Sequence, residues 1–151
     1  MIAVYVARRN EATWEFLQLL RGPGRYLAGT WATVYGGVNS GETAWQAALR
    51  ELFEETGIVP EALYRLPTAR AFYTAGDDTL WLVPAFCALV LPDAAIRLND
   101  EHVAYRWIAS DQARDLFLWP TDRAAIVEIV HELLREDSPL RDYLRIDWRE
   151  A

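Results

Sequence analysis

The chain has 151 residues, 52% of them hydrophobic and 25% charged, and its 22 acidic and 15 basic side chains leave a net charge of −7. That length and apolar content fit one domain over residues 1–151 with a sizeable core. The acidic balance argues against a broad basic surface for polymeric nucleic acid, while a small phosphorylated partner stays compatible with it because a bound cation inverts the local field.

In chain order, Ile2–Ala7 reads as a strand, and the start of the chain lacks the basic n-region and cleavage signal of a secretory peptide. Glu15–Leu20 is a second strand, reached through the polar turn region Arg8-Arg9-Asn10-Glu11. Arg21-Gly22-Pro23-Gly24-Arg25 is a loop by its Gly/Pro content. Trp31–Tyr35 has the β-branched and aromatic content of a strand, and Gly36–Gly41 is a glycine-rich loop. Thr43–Thr56 is the clearest helix, with Gly57 as its C-cap. Tyr64–Tyr73 and Thr79–Leu91 predict two further strands around an Ala75-Gly76-Asp77-Asp78 turn. The second is apolar almost throughout, as in a strand buried on both faces. It is too short to span a bilayer, contains Pro84, and carries Cys87, the sole cysteine and a candidate buried, inert thiol. Cys87, His102 and His131 offer no zinc spacing. Val103–Ile108 is a strand, Ser110 caps a short helix to about Leu116, and Thr121 caps a longer one that turns Ile126, Val127, Ile129, Val130, Leu133 and Leu134 inward. Beyond Asp137, the side chains of Leu140, Tyr143, Leu144, Ile146 and Trp148 are free to pack on the domain or on a second subunit, so a homodimer is one expected partner. Strands before, between and after the helices predict an α/β fold, a mixed β-sheet sandwiched between helices. No membrane partner and a cytoplasmic location are expected.

The Thr43–Thr56 helix has two dissimilar faces. At 100° per residue, Trp45, Ala48, Leu49, Leu52 and Phe53 form a broad apolar stripe, while Glu51, Glu54 and Glu55 share an arc of about 100° on the other side. Like charges three or four positions apart destabilise a helix by about 0.2–0.5 kcal/mol per pair. Three carboxylates converging on one point make a site for a hard cation of the Mg²⁺ type. Arg50 lies one turn before Glu54 and can fix its rotamer. Glu42 at the helix start meets the positive end of the dipole. The glycine loop ahead of the helix suits a phosphate, and its glycines permit unusual φ angles and a close backbone approach to metal or phosphate.

The spacing from Gly36 through Glu42, Arg50-Glu51 and Glu54-Glu55 to Gly57-Ile58 resembles the Nudix box, with every signature position filled over residues 36–58. The resemblance implies a Nudix-type α/β/α sandwich and Mg²⁺-dependent hydrolysis (Mn²⁺ serving as well) of a pyrophosphate bond in a nucleoside diphosphate linked to another group. It implies metal ligation by Glu51, Glu54 and Glu55, with the backbone carbonyl of Tyr35 contributing. Glu54 is the first candidate for the general base and Glu101 its rival, also a candidate ligand; Arg50 supports catalysis through Glu54. Many relatives carry glycine where this chain has Tyr35, which retains the carbonyl but stiffens the loop.

Two segments outside the box, Thr30–Val38 and Glu101–Trp107, resemble dihydroneopterin triphosphate pyrophosphatases and related (deoxy)nucleoside triphosphate pyrophosphohydrolases. They imply a nucleotide or pterin triphosphate that releases pyrophosphate. Arg21, Arg25, Gly36 and Gly37 are the candidate substrate-binding residues. Trp14, Tyr26, Phe72, Tyr73, Trp81 and Trp119 are candidates for a stacking wall, and Trp45 and Trp107 are assigned to the core. The alternatives are a Nudix hydrolase of dinucleoside polyphosphates, nucleotide sugars or oxidised nucleotides, and a non-catalytic nucleotide-sensing domain.

Overall fold

A computed structural model of the chain describes residues 1–149. Strands β1 (Ile2–Asn10) and β2 (Thr13–Arg21) form a hairpin whose pairing runs only from Asn10–Thr13 to Ala7–Phe16. Beyond that point a connecting segment lies between them. Its first part, β3 (Trp31–Ala32), pairs with Leu19 and Leu20 of β2, and its second, β4 (Val34–Gly36), pairs with Ile2–Val4 of β1. The single strand expected over Trp31–Tyr35 is therefore two. The break falls at Thr33, whose hydroxyl donates to the Val4 carbonyl instead of continuing one ladder.

Two other expected strands also divide. Tyr64–Tyr73 becomes β5 (Ala62–Arg65) in the large sheet and β6 (Arg70–Thr74) in a small one, with Pro67 between them. Thr79–Leu91 becomes β7 (Thr79–Val83), the partner of β6, and β8 (Ala85–Val90). Pro84 marks the division, since proline has no N–H to give a ladder. With β9 (His102–Ala109) on β2 and β10 (Arg145–Ile146) on β5, the large sheet runs β10-β5-β8-β1-β2-β3, with β4 beside β1. Among the described residues only the β1–β8 pairing is parallel, so the sheet is mixed.

Alternation along β1 sorts the core into two layers. Ile2, Val4 and Val6 pack with Ala47, Ala48 and Leu52 of α1 (Ala44–Thr56). Ala3, Tyr5 and Ala7 pack against α2 (Ser110–Leu116), α3 (Pro120–Ile129) and the π-helical turn Val130–Leu134 that continues it. The sheet is thus covered on both sides, as expected of this α/β class. Cys87 is buried in the second layer, where desolvation pushes its thiol pKa up. Trp45 and Trp107 pack against the first. Phe53, assigned to the apolar stripe, lies at its margin and is half exposed.

Helix α1 starts at a capping box: Thr43 Oγ accepts the Gln46 N–H at 3.3 Å, and Gln46 Oε1 accepts the Thr43 N–H at 2.9 Å. It ends at Gly57, whose φ of 71° is the left-handed conformation that glycine adopts without strain. The caps expected for the next two helices are displaced by one or two residues. Ala109 and Trp119 occupy the N-cap positions, Ser110 and Thr121 fall inside the first turns, and Pro120 supplies the preset φ that begins α3. In the tail, α4 (Arg141–Leu144) and β10 dock beside β5, which buries Leu144 and brings Ile146 and Trp148 against the core; Tyr143 is exposed. Residues 150 and 151 of that tail lie outside the described residues. Among the described residues no helix is long and apolar enough to cross a membrane.

Candidate active site

Arg50 organises the acidic face of α1. Its guanidinium donates to both oxygens of Glu42 at 2.9 Å, to Glu51 Oε1 at 2.8 Å, to Glu54 Oε2 at 3.2 Å and to the Gly37 carbonyl at 2.9 Å. These bonds join the glycine loop to the helix and hold two of the three carboxylates in fixed rotamers. They also pull the Glu42 carboxyl below its usual range, and the Asn39 N–H adds to that effect. Glu42 therefore acts through Arg50 from just before the N-cap, and the first turn of α1 carries no acid.

The two box glycines serve unlike needs. A Cβ on Gly36 would fall 2.1 Å from Glu51 Cδ, so the residue is glycine because the Glu51 side chain lies against its Cα. Gly37 has open space around it and contributes its carbonyl to Arg50. Neither has a positive φ; within the loop that conformation belongs to Gly41, at 81°. The close approach expected between this backbone and a phosphate is, at Gly36, an approach of protein to protein.

Glu55, one residue from the half-exposed Glu54, is buried, and its Oε2 has no hydrogen-bond partner among the described residues. Burial, and then the charges of Glu101 and Glu51, push its carboxyl up to about 9. The loop between β8 and β9 brings Glu101 toward it. Arg97 N–H donates to the Thr56 carbonyl at 2.8 Å and Asn99 N–H to the Glu55 carbonyl at 3.4 Å, which ties the segment before β9 to the end of α1. Asn99 Oδ1 then accepts the Glu101 N–H at 3.1 Å and lies 3.3 Å from His102 Nδ1. The neutral ring accordingly carries its proton on Nδ1 and turns a bare Nε2 toward Glu55 Oε2, 3.9 Å away. Burial, with Arg21 nearby, holds this imidazole below its usual pKa.

Arg21 and Arg25 converge on the same place. Arg21 Nη2 is 3.9 Å and Arg25 Nη1 4.0 Å from the Glu101 carboxylate, and Arg25 Nη2 is 3.1 Å from Asp100. A shift of register between Leu20 and Arg21 sets Arg21 opposite His102. The intervening loop is tied at its base, where Gly22 N–H donates to the Glu101 carbonyl at 2.8 Å and Gly29 N–H to the Arg21 carbonyl at 3.0 Å. Tyr26 is 79% exposed at its tip. The other candidate stacking residues divide: Phe72 and Trp81 stack on each other at 6.3 Å and pack on the core, as does Trp14, while Tyr73 and Trp119 are exposed.

Three residues were given no site role from the sequence. Asn99 and His102 stand on either side of the candidate Glu101, and only the folded chain shows them bracing it against Glu55. Asp122 is buried beneath β4, where the Tyr5 and Tyr35 hydroxyls donate to its Oδ1. Its signal was present: it stands on the same helical stripe as Ile126 and Ile129, where an acid is out of place.

Among the described residues no three acidic, histidine or cysteine groups stand close enough to grip one ion as placed, because Arg50 draws Glu51 and Glu54 to itself. The donor chemistry still fits a hard divalent cation. A buried carboxylate oxygen without a partner, flanked by two further carboxylates, is the arrangement such an ion relieves.

The NUDIX domain family profile matches residues 1–129. The asymmetrical bis(5'-nucleosyl)-tetraphosphatase of Rattus norvegicus is 32% identical over 125 residues, which are 82% of this chain and 83% of that protein. A C. elegans Ap4A hydrolase binary complex superposes with a TM-score of 0.73 at 22% identity over 86% of this chain and 93% of that one, a likeness of fold. The E. coli dihydroneopterin triphosphate pyrophosphohydrolase superposes with a TM-score of 0.71 at 27% identity over 86% and 94%. Box, fold and relatives agree: the chain belongs to the Nudix hydrolases, enzymes that act on phosphoric anhydride bonds of nucleotide-like substrates and generally need a divalent metal.

Proposed function

We propose that residues 1–151 form one Nudix domain that cleaves a pyrophosphate bond of a dinucleoside polyphosphate, with Mg²⁺ as its metal and Mn²⁺ able to replace it. The unpartnered Glu55 oxygen among like charges carries the metal-dependent reading. The rat tetraphosphatase, similar over most of both chains, favours the dinucleoside substrate. A nucleotide or pterin triphosphate, first in the sequence reading, is the second choice, and the 27% identity to the E. coli enzyme favours it.

Glu51, Glu54 and Glu55 would hold the cation, with the Tyr35 carbonyl and Glu101 as further donors. Bound there, Mg²⁺ would neutralise charge developing on the phosphate oxygens and leaving group. Glu54 is the most exposed of the three and is held by Arg50 through Oε2 alone, at 3.2 Å, so that its other oxygen would orient and deprotonate the attacking water. Glu101 is the rival base. Arg21 and Arg25, 3.9 and 4.0 Å from the Glu101 carboxylate, would exchange it for the phosphate chain. Gly36 and Gly37 offer backbone beside that chain, and Arg50 acts by positioning Glu51 and Glu54.

The test is a product analysis. Chelator-stripped protein, with and without Mg²⁺, is given a dinucleoside tetraphosphate, ordinary and oxidised nucleoside triphosphates, pterin triphosphate and nucleotide sugars. Mg²⁺-dependent release of two nucleotides of unequal phosphate number supports the first reading. Inorganic pyrophosphate from a triphosphate alone supports the second. No Mg²⁺-dependent product from any compound overturns both.

A further inference from the structure

Asp122 lies on the side of the sheet away from the acidic face of α1. It is buried in the first turn of α3, and two phenols from different strands donate to the same oxygen, Tyr5 from β1 at 2.7 Å and Tyr35 from β4. Burial raises the pKa of both phenols and keeps them protonated donors. Arg70 closes the cluster, 5.8 Å over the Tyr5 ring and bonded to the Thr121 carbonyl at 3.0 Å. None of these groups faces the carboxylates of α1, and the proposed chemistry uses no side chain among them.

The link runs through the backbone of β4. Successive residues of a strand point to opposite faces. The Tyr35 ring therefore goes to Asp122, while Gly36 faces α1, where Glu51 leaves no room for a Cβ. The peptide unit between Tyr35 and Gly36 is held between two carboxylates: Asp122 through the phenol on one side, Glu51 against the Gly36 Cα on the other. The Tyr35 carbonyl belongs to that peptide unit. Strand β4 has three residues and, among the described residues, pairs with β1 alone, so its ladder gives that carbonyl little independent support.

We propose that Asp122 is a positioning residue for the metal site: through the Tyr35 hydroxyl it sets how far the Tyr35–Gly36 backbone stands from Glu51, and so where the Tyr35 carbonyl is presented to a divalent cation. The inference rests on the metal reading above. Mg²⁺ demands near-ideal octahedral ligation at about 2.0–2.1 Å, so a shift of a few tenths of an ångström in one carbonyl weakens binding. Loss of an outer-shell partner lowers metal affinity by about 10- to 100-fold.

Tyr5 supplies the control. Tyr5→Phe and Tyr35→Phe each remove one hydroxyl from the same Asp122 oxygen, but only Tyr35 carries a candidate ligand. Free Mn²⁺ is followed by electron paramagnetic resonance as it is titrated into the full chain and into Tyr35→Phe, Asp122→Asn and Tyr5→Phe, with thermal midpoints, kcat and KM measured alongside. Tyr35→Phe and Asp122→Asn are expected to weaken Mn²⁺ binding by about tenfold and to lower kcat with KM within about twofold. Tyr5→Phe is expected to lower the thermal midpoint and keep Mn²⁺ affinity within about twofold of the parent. Parent-like Mn²⁺ affinity in Tyr35→Phe, or equal weakening in Tyr5→Phe, overturns the proposal and leaves Asp122 a structural acid. A raised KM with unchanged Mn²⁺ affinity in Asp122→Asn overturns it too, by placing Asp122 on the substrate. Absence of Mn²⁺ binding to the parent chain refutes the metal reading itself, a result distinct from any of these.

Discussion

Glu54 and Glu55 are adjacent in sequence and meet opposite environments, and the difference decides what each can do. Glu54 is half exposed and held by one arginine bond; Glu54→Gln is expected to lower kcat by at least about 100-fold, the range for a general base, with the fold intact by circular dichroism. Glu55 is buried, and its carboxyl is raised from 4.5 to about 9. Below pH 4.5 it is protonated in folded and unfolded chains alike. From there to about 9 the unfolded chain gives up a proton that the folded chain keeps, so metal-free stability falls as pH rises through that window. Glu55→Gln removes the slope. In a chelating buffer its thermal midpoint is expected to exceed the parent's near pH 8 and to approach it near pH 5; parallel curves would refute the assignment. At Gly36 the argument is steric. Gly36→Ala places a Cβ 2.1 Å from Glu51 Cδ and is expected to displace that carboxylate and cut the metal-dependent rate by at least about tenfold.

Among the elements, α1 was legible in the sequence because two local signals agreed, an apolar stripe at helical spacing and Gly57 at its end; the Thr43–Gln46 capping box at its start emerged with the structure. Thr43→Ala is expected to cost about 1 kcal/mol of unfolding free energy, measured by urea denaturation, with activity retained. The strands were legible in composition and not in extent. Thr33 and the stretch around Pro67 look like strand continuations in a linear reading, yet Thr33 marks where the chain passes from the ladder of β2 to that of β1. Pro84 was visible, but its consequence, that β7 leaves the large sheet, depends on how β6 and β7 pair with each other. The displaced caps of α2 and α3 have a simpler cause: a Ser or Thr near a helix start does not cap it unless its backbone is extended there, and Ala109 and Trp119 hold that position.

Across the whole molecule, the site depends on contacts that no local pattern encodes. The acids Glu51, Glu54 and Glu55 and their positioning residue Arg50 lie within one helix and were readable from spacing. Glu101 was readable as a candidate, but its approach to Glu55 needs the segment before β9 to be tied to the end of α1. Arg21 and Arg25 were named from loop composition, and their meeting with Glu101 follows from the pairing of β2 with β9. Asp122 and Tyr35 are separated by 87 positions and meet only in the folded sheet. On the proposed reading, in which Arg25 trades Glu101 and Asp100 for phosphate, Arg25→Ala is expected to raise KM by about tenfold with a smaller change in kcat; a KM unchanged in steady-state assays would remove it from substrate binding. If the acidic face of α1 is a cation site for anhydride cleavage, the initial rate of dinucleoside tetraphosphate cleavage will depend on Mg²⁺ titrated into chelator-stripped protein. A rate that is absent without Mg²⁺, saturates as the ion is added, and is lost in Glu54→Gln is the expected result; a rate indifferent to Mg²⁺ and to that substitution would contradict it.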